Sequence, residues 1–318
     1  MKKKLTLILI IYIVLLTACS KKPQNTPISN NEAVKMEAKK DIDLNIITTD
    51  KLLYGMVKNI VGDRHLVEYM FKNRERELSF QFSEDSLNNI AKKDLFIYMG
   101  AGLEPWINDF IDKLNKNKVG VINVSRGVKL LSYNKVVKYK DTVNKDNPYY
   151  LSNLDNYKIA LMNIKNAIQD KDPKNRDIYE KNFSQALKNI ENYQKDLKAA
   201  RDNLTGYTFI VVEDELNYFI KYNDFKVLDI NNDKNIIKIM PADKTAKADL
   251  ESKLKDNKKL AILYNSDEVL KNNEDIIKSY NIKVVNIKTY SIDTNYEEVL
   301  KNNIENLKVF YQKESSVK

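Results

Sequence analysis

A single histidine, His65, and a single cysteine, Cys19, serve all 318 residues. With one thiol the chain cannot build a disulfide within itself or a thiolate metal cluster. With one imidazole it cannot assemble a zinc site from histidines. A Ser-His-Asp triad would have to use His65. That residue opens the apolar stretch "HLVEYMF", where a structural histidine is expected. Glycine and proline are also scarce, at seven and six, so most of the chain should be regular structure rather than loop. Glycine-rich phosphate loops are missing. "GAGLEP" (100–105) starts like a dinucleotide fingerprint but carries Pro105 in the last glycine's place, and no Walker lysine follows. Without a positioned base, nucleophile or cofactor motif, the chain is not expected to be an enzyme.

The N-terminus, "MKKKLTLILIIYIVLLTACS", has three lysines, an apolar run of about 12 residues from Leu5 to Leu16, and small residues. The run is too short to span a bilayer and has the order of a signal peptide. Leu16-Thr17-Ala18-Cys19 resembles a bacterial lipobox, which makes Cys19 the expected lipidation site and residues 1–18 the signal. Residues 19–43 then read as the lipidated cysteine and a polar, flexible tether. Lipidation would anchor the protein outside the cytoplasm without a permanent span. The net charge of +9 falls to about +6 without Lys2, Lys3 and Lys4. Acids and bases are mixed throughout, which argues against a nucleic-acid face.

From residue 44 a rhythm of strands and helices begins. "LNIITT" is a strand, followed by the helix "KLLYGMVKNIV" with Thr49 or Asp50 as its cap. "HLVEYMF", "LFIYM" and "VGVINV" are further strands, with helices at Glu84–Ala91 and "PWINDFIDKL". Between 153 and 204 only helix is expected. Tyr179, Phe183, Ala186, Ile190, Tyr193, Leu197, Ala200 and Leu204 recur at spacings of four and three, one stripe along about 28 residues. Packing across two lobes of the same chain is expected for it, a coiled coil with a partner being the alternative. Alternation then resumes with the strands "YTFIVV", "FKVLDI", "LAILY" and "IKVVNI", and the closing helix "YEEVLKNNIENLKVFYQ". The expectation is an α/β protein of two lobes, 44–152 and 205–318, each with a mostly parallel sheet, joined through 153–204 by one long rigid helix.

Several stretches, in order, carry a resemblance: "IITTDKLLYGMVKNIVGDR", "KKDLFIYMGAGLEPWINDFI", "VINVSRGVKLL", "NPYYLSNLDNYKIALMNI", "VVEDELNYFIKY" and "PADKTAKADLESKLKDNKKLAILY". Together they resemble the solute-binding lipoproteins of zinc and manganese ABC importers. The resemblance implies two α/β lobes on a backbone helix, a metal cargo between the lobes, a membrane permease partner and a monomeric chain. It also implies four metal ligands, typically three histidines and a carboxylate. Their places fall here on Leu78, Tyr149, Glu213 and Lys288, with Phe80, Tyr150 and Asp214 as neighbours. Leucine cannot ligate, a lysine offers only donors and a neutral phenol is a poor ligand. Only Glu213 could hold a metal, so zinc or manganese is implied by the family but not supported by these residues. Three readings of the cleft stay open: a Glu213–Lys288 ion pair closing the lobes, a pocket for a different small ligand, or weak divalent-metal binding through Glu213 and Asp214. Two functions follow, a receptor with an altered or lost ligand, or a surface interaction or adhesion lipoprotein on the same scaffold.

Overall fold

The computed structural model describes residues 43–139, 142–230 and 237–316. Cys19, the signal segment and the tether lie outside them. The first lobe starts with β1 (Asn45–Asp50), α1 (Lys51–Val61) and β2 (Leu66–Phe71). Two short helices, α2 (Arg74–Leu78) and α3 (Glu84–Ala91), lead to β3 (Leu95–Tyr98), α4 (Ile107–Lys113) and β4 (Gly120–Asn123). The strands form one parallel sheet in the order β2-β1-β3-β4. Asp50 ends β1 and caps α1 by accepting from Leu53 N at 2.7 Å, the Asx cap its sequence position calls for. Pro105 stands two residues ahead of α4, which Trp106 precedes without a side-chain cap.

Glu104 braces the loop "GAGLE" from within. Gly100, Ala101 and Gly102 all take left-handed backbone angles, φ +74°, +54° and +76°. The Glu104 carboxylate accepts from Met99 N at 2.7 Å and Gly100 N at 3.0 Å. A side chain at position 100 would meet Asn123 Oδ1 at 2.1 Å, so glycine is required there.

A hairpin the sequence reading did not contain follows, β5 (Ser132–Tyr139) with β6 (Thr142–Asp146), antiparallel. The strands are mostly polar; in β5 the half-buried Tyr133, Lys135 and Val137 alternate with exposed residues, but Lys135 on the inner face and Val136 on the outer one blur the apolar period. Then come α5 (Leu154–Lys171) and α6 (Arg176–Asp202), the latter 27 residues and about 40 Å long. The expected stripe faces inward within this chain: Tyr179, Ile190, Leu197 and Ala200 are buried, and α6 packs on α1, on α5 and on the C-terminal helix α11 (Tyr296–Ser316).

The second lobe holds β7 (Thr208–Ile210), α7 (Asn217–Asn223), α8 (Lys244–Asp256), β8 (Leu260–Tyr264), α9 (Asp267–Asn272), α10 (Glu274–Ser279), β9 (Lys283–Asn286) and α11. The strands pair in parallel as β7-β8-β9. "FKVLDI" does not become a strand; within it only Val227 bridges Phe209. Alternate residues of the sheet serve two cores. Phe209, Ala261, Leu263 and Val285 join the core shared with the first lobe, while Ile210, Leu260 and Ile262 face α8. Among the described residues no helix is long and apolar enough to cross a membrane.

His65 ties the base of the first lobe to the turn between α5 and α6. Its Nδ1 accepts from Leu44 N at 3.3 Å, so Nε2 carries the proton and donates to Tyr179 Oη at 2.6 Å; Tyr179 in turn donates to Asp172 at 2.5 Å. Burial holds the imidazole below its ordinary pKa. This is a structural histidine.

Candidate functional site at the interlobe seam

Parallel α/β sheets present their carboxyl ends to ligands. Here β7 ends into Glu213, and β9 into the segment 287–292. The loop after the hairpin, Asn147 to Tyr150, lies across from both. Four tyrosines close this seam. Tyr290 donates its hydroxyl to Pro148 O at 2.6 Å and accepts from Leu151 N at 3.3 Å. Its ring lies 5.8 Å from that of Tyr149. Tyr218 donates to Asn147 O at 3.0 Å and accepts from Leu131 N at 2.7 Å. Tyr296 donates to Leu151 O and stacks on Tyr157 at 4.3 Å and 9°. Tyr150 is fully buried and donates to Met99 O at 2.9 Å. Tyrosine suits these positions because its ring fills the seam while its hydroxyl satisfies a buried carbonyl.

The acids are equally engaged. Glu213 is 6% exposed, and both its oxygens accept backbone N–H groups at the start of α9, from Asn265 at 2.6 Å and Ser266 at 3.0 Å. Burial raises its pKa, and these two bonds oppose the rise. Asp214 clamps the hairpin. It accepts from Asn134 N at 2.8 Å, Lys135 N at 2.9 Å, Asn134 Nδ2 at 2.6 Å and Asn217 Nδ2 at 2.9 Å. Glu215 pairs with Lys135 at 3.1 Å.

Tyr149 and Tyr133 keep hydroxyls without a hydrogen-bond partner among the described residues. Burial raises the pKa of both; the Glu215 carboxylate adds to the rise and the Arg74 guanidinium opposes it. Neither phenol is poised to ionise at neutral pH. Arg74 itself forms an ion pair with Glu77, the buried residue beside half-buried Leu78. Phe80 packs in an aromatic cluster of the first lobe, 5.0 Å from Phe71 and 4.8 Å from Trp106.

Lys288 is not among these groups. It is exposed, lines a neighbouring cleft, and has its backbone held at both ends by Asn303. The expected Glu213–Lys288 ion pair is absent from the described residues. Tyr290, two residues further on, is the side chain past the last strand that enters the seam. Sequence reasoning missed it, together with Tyr218, because neither carries a ligating pattern. The carboxylates deeper in the first lobe, Asp50, Glu77 and Glu104, are all buried. Burial raises the pKa of each; the Glu104 charge adds to the rise at Asp50 and Glu77, while hydrogen bonds from Met99, Thr49 and Gly100 oppose it at Glu104. Glu77 is pushed up to about 7. Among the described residues no three His, Cys, Asp or Glu side chains are grouped so as to hold a metal ion.

Two parallel-sheet lobes set on one long helix, with strand ends meeting at a seam, define a two-lobed solute-binding fold. Residues 46–309 match the family described as the zinc-uptake complex component A, periplasmic. The chain belongs to this family of metal ABC transporter substrate-binding lipoproteins. It is 27% identical over 229 residues to the manganese ABC transporter substrate-binding lipoprotein PsaA of Streptococcus pneumoniae, covering 69% of each chain. Its fold is similar to the Zn(II)-bound ZnuA-like domain of Streptococcus pneumoniae AdcA, with a TM-score of 0.62 at 19% identity over 85% of this chain and 98% of that one. It is likewise similar to the laminin-binding adhesin Lmb of Streptococcus agalactiae, with a TM-score of 0.59 at 21% identity, covering 85% and 98%.

Proposed function

We propose that this is a lipid-anchored extracytoplasmic receptor of a metal-importer family whose interlobe site no longer coordinates a transition metal. The lipid on Cys19 would hold it at the membrane beside a permease, with 19–43 as the tether and 44–152, 153–204 and 205–318 as lobe, linker and lobe. The observation that carries the reading is the state of Glu213. It is the one ligand-type side chain among the four family places, and both its oxygens already accept backbone amides. The other places supply Leu78, the neutral phenol of Tyr149 and, past the last strand, Lys288 or the bonded phenol of Tyr290. Zinc needs three or four N, S or O donors around one point, and a hard cation needs six or more oxygens. This donor set fits neither, so the cargo is altered or lost and Asp214, committed to the hairpin, does not replace it.

Calorimetric titration of the purified protein with zinc and with manganese tests this. The proposal expects no binding tighter than the millimolar range. Submicromolar binding that vanishes in Glu213→Ala would overturn it. A second reading, a surface interaction or adhesion protein without transport, is favoured by the bonded tyrosine seam, which leaves little need for a ligand to hold the lobes together. The similarity to the laminin-binding adhesin supports it as a use of this scaffold. Loss of surface attachment, with metal uptake unchanged, on deleting the gene would select it.

A further inference from the structure

Lys288 opens onto a cleft of about 790 Å³ between α1 and the segment from β9 into α11. It shares Tyr157 and Tyr296 with the seam, but of the four family places only Lys288 lines it. Three features set it apart from an ordinary surface hollow. First, five charged side chains line it, Lys51, Lys288, Asp293, Glu297 and Glu298, yet no ion pair joins any two of them. Opposite charges that share a cleft without neutralising one another leave both signs available to a ligand. Second, the charges are spread along its length. Lys51 begins α1, whereas Glu297 also borders the adjoining smaller hollow with Asn59. Eight residues of helix separate Lys51 from Asn59, about 12 Å. Glu297 is held in place by the Tyr193 hydroxyl at 3.0 Å. Third, Gly55 sits mid-helix on the floor, beside buried Met56 and half-buried Tyr54. A Cβ there would meet nothing within 4 Å. Glycine inside a helix costs about 1 kcal/mol against alanine, and neither packing nor backbone angle demands it here; its effect is to keep the floor flat.

We propose that this cleft binds an extended zwitterion of the short-peptide class, its carboxylate toward Lys51 and its ammonium toward Glu297 and Glu298. Three extended residues span roughly 10 Å, comparable with the stretch of α1 from Lys51 to Asn59 that the cleft follows, and the half-buried Tyr54 ring offers a surface for the chain along it. The inference stands on the cleft alone and does not depend on whether the seam has lost its metal.

The test is calorimetric titration of the purified full chain with trialanine, alongside N-acetyl-trialanine amide, which has the same backbone without end charges. Trialanine should bind in the micromolar to millimolar range, with the capped peptide at least tenfold weaker. Gly55→Leu, which fills the floor, and the double variant Lys51→Ala/Glu298→Gln, which leaves the core untouched, should each weaken trialanine at least tenfold. Circular dichroism melts confirm that both variants fold. No detectable binding of trialanine, equal binding of the capped peptide, or binding unchanged in the folded double variant would each overturn the proposal. Zinc titration in the same variants is unaffected by these outcomes and reports separately on the seam.

Discussion

Neutralising Glu77 should change how stability depends on pH. Its carboxyl is buried against Glu104 and Arg74, and its pKa rises from 4.5 to about 7, burial being the largest cause. One pKa unit corresponds to about 1.4 kcal/mol, so ionising Glu77 in the fold costs about 3 kcal/mol more than in the unfolded chain. The folded state holds the proton more tightly, so between pH 4.5 and 7 it binds more protons than the unfolded state. Stability is therefore highest below pH 4.5 as far as this group is concerned, and it falls as the pH rises through 7. Glu77→Gln keeps the shape and removes the titration. Urea unfolding at pH 5 and pH 8 measures the difference. At pH 5 the variant should lie within about 1 kcal/mol of the wild type. At pH 8 it should be relatively more stable by up to about 3 kcal/mol. Parallel pH profiles for the two proteins would refute the reasoning. A variant that loses stability at pH 8 would show instead that the Arg74 ion pair outweighs the burial penalty.

His65 should act in the opposite sense. Its pKa is lowered chiefly by burial, so it favours the fold above the unfolded value near 6.5 and that support is lost as the pH falls below it; His65→Gln should flatten the acid side of the melting-temperature profile. Asp214→Ala removes an acceptor of four hydrogen bonds and should cost about 2–4 kcal/mol, with amide exchange at Asn134 and Lys135 accelerated more than at Ile46 or Ile97. Tyr290→Phe leaves Pro148 O and Leu151 N without their partner and should lower stability by about 1–3 kcal/mol, seen as a lower urea midpoint.

Strand and helix positions in both lobes were legible because the apolar residues there follow clean periods: "LFIY" and "LAILY" are continuous buried runs, and the α6 stripe repeats every three or four residues over its whole length. "FKVLDI" looked equally strand-like, yet only Val227 of it pairs, since the strand β8 already takes one edge of β7 and "FKVLDI" meets the other at a single residue. The hairpin was invisible because what fixes it is not its own strands but Asp214, which arrives some 80 positions later in sequence. The site was legible in type rather than place. The missing histidines could be read directly, and Tyr149 and Glu213 do border the seam. Tyr150 is fully buried at the seam, bonded to Met99, whereas Phe80 is packed inside the first lobe and Lys288 opens onto a neighbouring cleft. Pairing of Tyr290 with Tyr149 and Pro148 depends on the meeting of the two lobes, which no local pattern encodes.

Central to the proposed loss of metal binding is a seam whose carboxylates, Glu213 and Asp214, are already committed to protein partners. Anomalous diffraction at the zinc edge, from crystals equilibrated with millimolar zinc, addresses it most directly. No peak is expected within about 3 Å of Glu213, Tyr149 or Tyr290. A strong peak about 2 Å from the Glu213 carboxylate, at zinc-ligand distance, with its bonds to Asn265 and Ser266 broken, would contradict it.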